Sequence, residues 1–205
     1  MPAPNTPDIP AIPEFVRLGR DLCATASHRY EWWLSNGAMG YAAGTLNGAL
    51  SRRYHGLLVA PLPGAAGRHL LMSKADATLL DGAEEWPLFS NRWRGGLLEP
   101  SNAASLESFR LLGRLPVWRF ACGERRIEQR IWLEPGAPVA YIAWRLASAW
   151  SATDDLTLRV ALLANLRDHH QVCEPGHIAP VSQVAGSSMR LEYSSGLRLH
   201  IHANA

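Results

Sequence analysis

Cysteine, lysine and long apolar runs are all scarce in this sequence of 205 residues. The 3 cysteines are an odd number without Cys-x-x-Cys spacing, which argues against a disulfide framework and predicts a reducing, cytoplasmic environment. No apolar stretch approaches the length needed to cross a membrane. The opening residues, MPAPNTPDIPAIPEF, have neither the basic start nor the apolar run of a secretory signal. We therefore predict a soluble protein without a membrane partner.

An excess of charge of one sign is also absent. Lysine and arginine number 20 and acidic residues 18, so the formal net charge is +2 and nucleic acid is not expected as a partner. Lys74 is the only lysine, and we interpret this arginine bias, beside many alanines, as genomic composition. The planar donor fork of arginine also suits sugar recognition, and composition does not separate the two explanations.

The apolar pattern predicts a short lead followed by one β domain. Residues 1–13 hold five prolines and little that can pack, so we predict a flexible lead and a β-sandwich domain over residues 14–205. A short helix is predicted from Glu14 to about Arg29. Alternating apolar residues predict antiparallel strands, the last two forming a terminal hairpin, at His55–Pro61, His69–Leu80, Arg125–Leu133, Val139–Ala147, Leu156–Leu166, Met189–Tyr193 and Leu197–His202. The fold class is all-β.

The run EWWLSNGAMGYAAGTLNGALSRRYHGLL, from Glu31 to Leu58, is the most informative part of the chain. Asn36-Gly37 predicts a tight turn, because glycine adopts positive φ at no steric cost and asparagine tolerates it. The Arg-Arg-Tyr-His cluster that ends at His55 lies just before an apolar strand. Stacking rings, forked donors and a glycine-rich backbone suit a polyhydroxylated ligand. The alternative is an ordered connector with two solvated arginines.

This run resembles the N-terminal domain of the bacterial and archaeal type of glycogen debranching enzyme, the amylo-α-1,6-glucosidase family. The family pattern NG-x-GGYA…G…RRYHGLLVA matches NGAMGYAAGTLNGALSRRYHGLLVA here. Four further stretches agree in order, so the resemblance extends from about Glu31 to His170: LLMSKADATL, PLFSNRW, PVWRFACGERRIEQRIWLEPG and LLANLRDHH. Met39 stands where the family usually has glycine, and His169 stands where it usually has tyrosine, in an RDYH element.

The resemblance implies a large antiparallel β-sandwich of the glucoamylase N-terminal, galactose-mutarotase-like type, which precedes a catalytic barrel. We expect a non-catalytic N-terminal domain that supports the barrel and helps to shape its α-1,6-glucan site in glycogen breakdown. The expected partners are the barrel and an α-glucan, either glycogen or a limit dextrin, bound through the full-length enzyme. Neither the barrel nor the stretch that closes the sandwich has a counterpart here, so the domain is expected to be truncated.

The predicted substrate-binding residues come from the signature run, from a tryptophan in a loop and from the RDHH element. They are Asn36, Gly37, Tyr41, Arg52, Arg53, Tyr54, His55, Trp93, Arg167, Asp168 and His170. Structural roles are the alternative: an arginine of the cluster ties its loop to a carboxylate, Tyr54 fills the core, and His55 is a satisfied, partly buried side chain. Asp168 either pairs with Arg167 or orients a histidine.

No catalytic residue, metal or cofactor is predicted. Glycoside hydrolysis usually needs two flanking carboxyl groups, and no acidic residue stands out. Glu84-Glu85 is predicted in a loop and Asp154-Asp155 in a turn, while Glu128 and Glu134 are predicted to face outward from a strand. The segment RDHHQVCEPGH contains His169, His170, Cys173 and His177, but without the paired short spacings of a structural zinc site.

Two alternative functions stay open at this point. One is a free-standing carbohydrate-binding β-sandwich module. The other is an aldose-epimerase-like enzyme, in which a histidine and a glutamate carry protons on a related sandwich fold.

Overall fold

The computed structural model describes residues 13–149, 155–172 and 180–204. The predicted lead, except for Pro13, lies outside these residues, as do Asp154, Cys173 and His177. The elements are β1 (Glu14–Leu18), α1 (Arg20–Ala26), β2 (Glu31–Ser35), β3 (Tyr41–Thr45), β4 (Gly56–Pro61), β5 (Arg68–Asp81), β6 (Glu84–Pro87), β7 (Leu106–Leu112), β8 (Leu115–Cys122), β9 (Arg125–Leu133), β10 (Ala140–Leu146), β11 (Leu156–Asp168), β12 (Val181–Ala185), β13 (Ser188–Glu192) and β14 (Arg198–His202).

The strands form three antiparallel sheets, as the all-β prediction requires. The first sheet has the order β1-β7-β8-β9-β10, and the second has the order β11-β5-β4-β3-β2 with β6 paired to β5. The third sheet is the small meander β12-β13-β14. No described helix is long and apolar enough to span a membrane.

The main hydrophobic core lies between the first and second sheets. It combines Phe109, Trp118 and Phe120 of the first sheet with Ala77 and Leu79 of the second. Each large side chain that is fully buried there contributes about 1.5–3 kcal/mol to folding. The third sheet packs separately, placing Leu199 and Ile201 of β14 against Leu58 and Met72. This packing makes the second sheet the centre of the domain.

Two sequence predictions about local structure are wrong. The segment predicted as one helix from Glu14 to Arg29 begins as β1, which pairs with β7, and only Arg20–Ala26 is helical. Pairing with a neighbouring strand overrides the weak local preference for a helix. Glu84 and Glu85 begin strand β6 and pair with Asp81 and Leu80. They are therefore not in a loop.

Lys74 lies in β5 and is buried in a polar site. Its Nζ lies 2.8 Å from Asp76 Oδ1, and it donates hydrogen bonds to the Ser90 carbonyl at 3.0 Å and to Asn91 Oδ1 at 2.6 Å. Burial lowers the pKa of Lys74 and raises the pKa of Asp76, while their ion pair opposes both changes. The ammonium group therefore has two hydrogen bonds and one ion pair in this site.

Candidate functional site

Strands β2 and β3 provide an aromatic platform. Because side chains alternate along a strand, Trp32 packs in the core against Trp118, while Trp33 lies on the opposite face and is 59% exposed. Trp33 stacks on Tyr41 of β3, with ring centres 4.3 Å apart and planes 15° from parallel. The register pairs Trp33 with Ala43 and Ser35 with Tyr41, so the two rings are diagonal neighbours on one face.

The segment between β3 and β4 forms one wall beside this platform. Nδ1 of His55 accepts the Ser51 N–H at 3.2 Å, so its proton is on Nε2, which lies 3.4 Å from Glu31 Oε1. Arg52 Nε donates to the same glutamate oxygen. His55 is only 3% exposed, and burial lowers its pKa although Glu31 opposes this effect. The buried imidazole is therefore neutral near pH 7, and it holds Glu31 and the loop together.

The end of β11 forms the opposite wall. Arg167 is buried, and its guanidinium donates to the carbonyls of Arg53, Asp168 and Gln171. In return, Arg53 Nη1 donates to the His170 carbonyl at 2.8 Å. The Tyr54 hydroxyl lies 3.2 Å from His170 Nδ1. These contacts tie the loop before β4 to the end of β11.

Asp168 orients this wall through the backbone. Its Oδ1 accepts the His170 N–H at 2.7 Å and lies 3.8 Å from His169 Nδ1. The hydrogen bond from the His170 backbone is the main cause that lowers the pKa of Asp168. The carboxylate does not bind the Arg167 guanidinium, whose partners are carbonyls. Of the two predicted roles for Asp168, the structure shows contact with the histidine segment.

The platform and the two walls enclose a cleft of about 380 Å³. Aromatic rings and charged groups dominate its lining, which consists of Glu31, Trp32, Trp33, Tyr41, Ala43, Arg52, Tyr54, His55, Arg68 and His169. Burial raises the pKa of Tyr41 and lowers that of His169, so both side chains are neutral near pH 7. The cleft thus combines flat apolar surfaces with fixed donors and one carboxylate, which is the chemistry of a site for a polar ring-shaped ligand.

The structure brings most, but not all, of the predicted residues to this cleft. Four of them line it and four form or support its walls, namely Tyr41, Arg52, Tyr54 and His55 in the first group and Arg53, Arg167, Asp168 and His170 in the second. Tyr54 is 38% exposed and so does not fill the core. Arg52 does tie its loop to a carboxylate, that of Glu31, while also lining the cleft.

The remaining predicted residues are not part of the cleft lining. The Asn36 side chain accepts the N–H groups of Ala38 and Gly40 and donates to the Ala137 carbonyl at 2.8 Å. It organises the predicted turn, in which Gly37 has φ of 75°. Trp93 is 58% exposed and lies, as predicted, in a loop, but its Nε1 donates to the Glu99 carbonyl and it does not line the cleft.

The predicted site did not include six residues of the lining: Glu31, Trp32, Trp33, Ala43, Arg68 and His169. The alternation of β2 would have turned Glu31 and Trp33 to one face once Trp32 was assigned to the core. Arg68 and His169 meet through the pairing of β5 with β11, where the His169 backbone N–H donates to the Arg68 carbonyl. No local motif indicates that pairing.

The prediction that Glu128 faces solvent is wrong. Glu128 is 3% exposed because three arginines surround its carboxylate on the outer side of the first sheet. Arg145 Nη2 lies 2.6 Å from Oε2, and Nη2 of both Arg110 and Arg130 lies 3.0 Å from Oε1. Glu128 is not among the residues that line the cleft.

Comparison with known proteins identifies one family. The family model described as glycogen debranching enzyme N terminal matches residues 30–205, which is most of the chain. No match was found among curated proteins or among solved structures. Among residues 13–149, 155–172 and 180–204, no group of three or more His, Cys, Asp or Glu side chains is placed to hold a metal ion.

Proposed function

Because the chain belongs to the family of glycogen debranching enzyme N-terminal domains, we propose that it is a non-catalytic domain that binds α-glucan in the cleft beside Trp33. In a full-length enzyme, it supports a catalytic barrel and contributes this cleft to the binding of a branched glucan. The observation that carries the proposal is the Trp33–Tyr41 stack in a cleft lined with hydrogen-bonding groups. A pyranose ring offers an apolar face to such a platform and hydroxyls to the donors around it.

The described lining of the cleft contains no pair of carboxyl groups, which supports a non-catalytic role. Glu31 is the single acidic residue among the described residues that line it. Its Oε1 contacts Arg52 and His55, which fix the position of the carboxylate. Glycoside hydrolysis needs a second carboxyl group across the scissile bond. The 205-residue chain should therefore release no glucose from a limit dextrin above a buffer blank.

The aldose-epimerase alternative is not supported by the Glu31–His55 contact. Proton transfer to and from a sugar needs an acid and a base whose reactive atoms reach the substrate. Here Nδ1 of His55 is occupied by the Ser51 N–H, and Nε2 faces Glu31. A mutarotation assay with the purified chain tests this alternative directly. Acceleration above the uncatalysed rate would overturn the binding-domain proposal in its non-catalytic form.

Glucan binding can be tested with two tryptophans that are equally exposed. Trp33→Ala removes the platform, whereas Trp93→Ala removes a ring with the same exposure from outside the cleft lining. In calorimetric titrations with maltohexaose and a limit dextrin, we expect Trp33→Ala to weaken binding by about tenfold, or ~1.4 kcal/mol. Trp93→Ala should bind like the wild type. Unchanged binding in Trp33→Ala, or a loss confined to Trp93→Ala, would refute the assignment of the cleft.

A further inference from the structure

Among the residues that the structure describes, the cleft region has more arginines than carboxylates. Arg52 and Arg68 line it, and Arg53 and Arg167 support its wall, against the two carboxylates of Glu31 and Asp168. The whole chain has a net charge of only +2, so this surplus is concentrated at one site. A neutral glucan does not need such a surplus, because hydroxyl groups are recognised by neutral and charged donors alike.

Arg68 is the most informative of these arginines. It lies at the start of β5, is half-buried, and its guanidinium carbon is 5.5 Å from the centre of the Tyr41 ring. No carboxylate lies within ion-pair distance of Arg68 in the part of the chain that the structure describes. A guanidinium held over a ring keeps its planar donor fork available, and that fork matches the oxygens of a phosphate group.

Arg52 adds a second set of donors. Only its Nε is used in the contact with Glu31, and its side chain is 64% exposed. Arg53 and Arg167 donate to backbone carbonyls, and neither forms an ion pair with a carboxylate among residues 13–149, 155–172 and 180–204. Their field therefore acts on any ligand in the cleft and favours an anionic one.

We propose that the cleft preferentially binds a glucose unit that carries a phosphate monoester, with the sugar ring on Trp33 and the phosphate at Arg68. The proposal rests on the proposed glucan function and adds a charge requirement to the same site. A phosphate monoester carries about −1.5 to −2 charges near pH 7 and presents three acceptor oxygens to the arginine fork. The same chemistry exists in a free hexose phosphate and in a phosphate ester borne on a glucan chain.

The test compares matched ligands on the wild-type chain. Calorimetric titrations use glucose 6-phosphate and glucose 1-phosphate against glucose, and a phosphorylated glucan against the same glucan after phosphatase treatment. We expect the phosphorylated member of at least one pair to bind about tenfold tighter or more, the effect of one charge-assisted hydrogen bond. Preference in the first pair identifies a free hexose phosphate, and preference in the second a phosphate on the polymer. Equal affinities in both pairs would overturn the proposal, as would inorganic phosphate binding as tightly as the sugar phosphates.

Arginine variants then locate the phosphate. Arg68→Gln should abolish the preference for the phosphorylated ligand, while Arg68→Lys should retain part of it. Arg94→Gln, which removes the same charge from an exposed loop outside the cleft lining, should leave the preference intact. Thermal unfolding of each variant verifies that it is folded. A preference that persists in folded Arg68→Gln would contradict the assignment of the phosphate to Arg68.

Salt dependence gives an independent measurement. Raising the salt concentration to about 0.5 M should weaken the phosphorylated ligand and leave the neutral ligand unchanged, because salt screens interactions between charges. Different results would contradict the two proposals. The effect of Trp33→Ala on maltohexaose binding tests the glucan function. The ratio of the affinities for the phosphorylated and unphosphorylated ligands tests the charge requirement.

Discussion

Replacing Glu128 with glutamine removes the negative charge at the centre of three guanidinium groups. Burial alone would raise the pKa of the Glu128 carboxyl, but hydrogen bonds from Arg145, Arg130 and Arg110 lower it from 4.5 to about 2. Glutamine keeps the shape of the side chain and can still accept hydrogen bonds. The substitution therefore isolates the charge, and it leaves the arginines to repel one another.

The pKa of Glu128 sets the expected magnitude. One pKa unit corresponds to about 1.4 kcal/mol, so a decrease from 4.5 to about 2 corresponds to about 3 kcal/mol of folding stability. The carboxylate is buried, but the side chains of its partners are 32%, 38% and 66% exposed, and water screens them. We therefore expect Glu128→Gln to lower the free energy of unfolding at pH 7 by about 2 kcal/mol.

The pH dependence distinguishes charge from packing. The folded-state pKa of Glu128 is below its unfolded-state value, so its contribution is complete above about pH 5 and declines as the pH falls through 4.5 toward 2. The free energy of unfolding in urea should be measured for wild type and Glu128→Gln at pH 7, 5 and 3. The difference between the two proteins at pH 3 should be less than half of the difference at pH 7. Glu85→Gln, at an exposed pair with Arg159, should cost at most about 0.5 kcal/mol at any of these pH values. A Glu128→Gln deficit that does not change with pH would refute the electrostatic explanation.

Three further substitutions test local structure, each through the free energy of unfolding in urea. Met39 has φ of 66° and is 64% exposed. Met39→Gly should therefore relieve backbone strain without losing packing, and raise the free energy of unfolding by about 0.5–1 kcal/mol. A decrease in that free energy would show that the backbone at Met39 is not strained. A Cβ at Gly56 would lie 2.2 Å from Leu70 Cδ1 in the buried sheet. Gly56→Ala should therefore lower the free energy of unfolding by about 1–3 kcal/mol. An unchanged free energy would show that Leu70 can move. Asn36→Ala leaves the Gly40 N–H and the Ala137 carbonyl without their side-chain partner. It should lower the free energy of unfolding by about 2–3 kcal/mol. Retention of wild-type stability would show that water replaces these hydrogen bonds.

Alternation along the chain was sufficient to predict much of the fold. Strand β9 was predicted with its observed bounds, and the terminal hairpin coincides with β13 and β14. Alternation failed where it was interpreted too simply. Glu128 occupies an outward position of β9, yet Arg130 of the same strand, Arg145 of β10 and Arg110 of β7 bury it. The placement of the arginines on β7 and β10 depends on strand register, which one strand does not reveal. The β1 segment failed for the same reason, because only its partner β7 makes it a strand.

The site was predictable to the extent that it is local in sequence. The Arg-Arg-Tyr-His cluster contributes a whole wall, and its residues are consecutive. The cleft, however, also needs Arg68 and His169, which lie about a hundred residues apart and meet only through the pairing of β5 with β11. Met39 is a position where the sequence indicated the change and the structure added its conformation. Its departure from the family glycine was visible in the sequence, and the structure adds that the backbone keeps the positive φ that glycine would favour.

The enclosure of Lys74 has a consequence for chemical modification. Open-chain aldoses condense with free amines. The one lysine amine of this chain is buried, paired with Asp76 and hydrogen-bonded to Ser90 and Asn91. Every other basic side chain that carries a permanent charge is an arginine, whose guanidinium stays protonated and is a poor nucleophile. Such a surface can attract anions through its arginines. It exposes no lysine amine that could form a Schiff base with a reducing sugar.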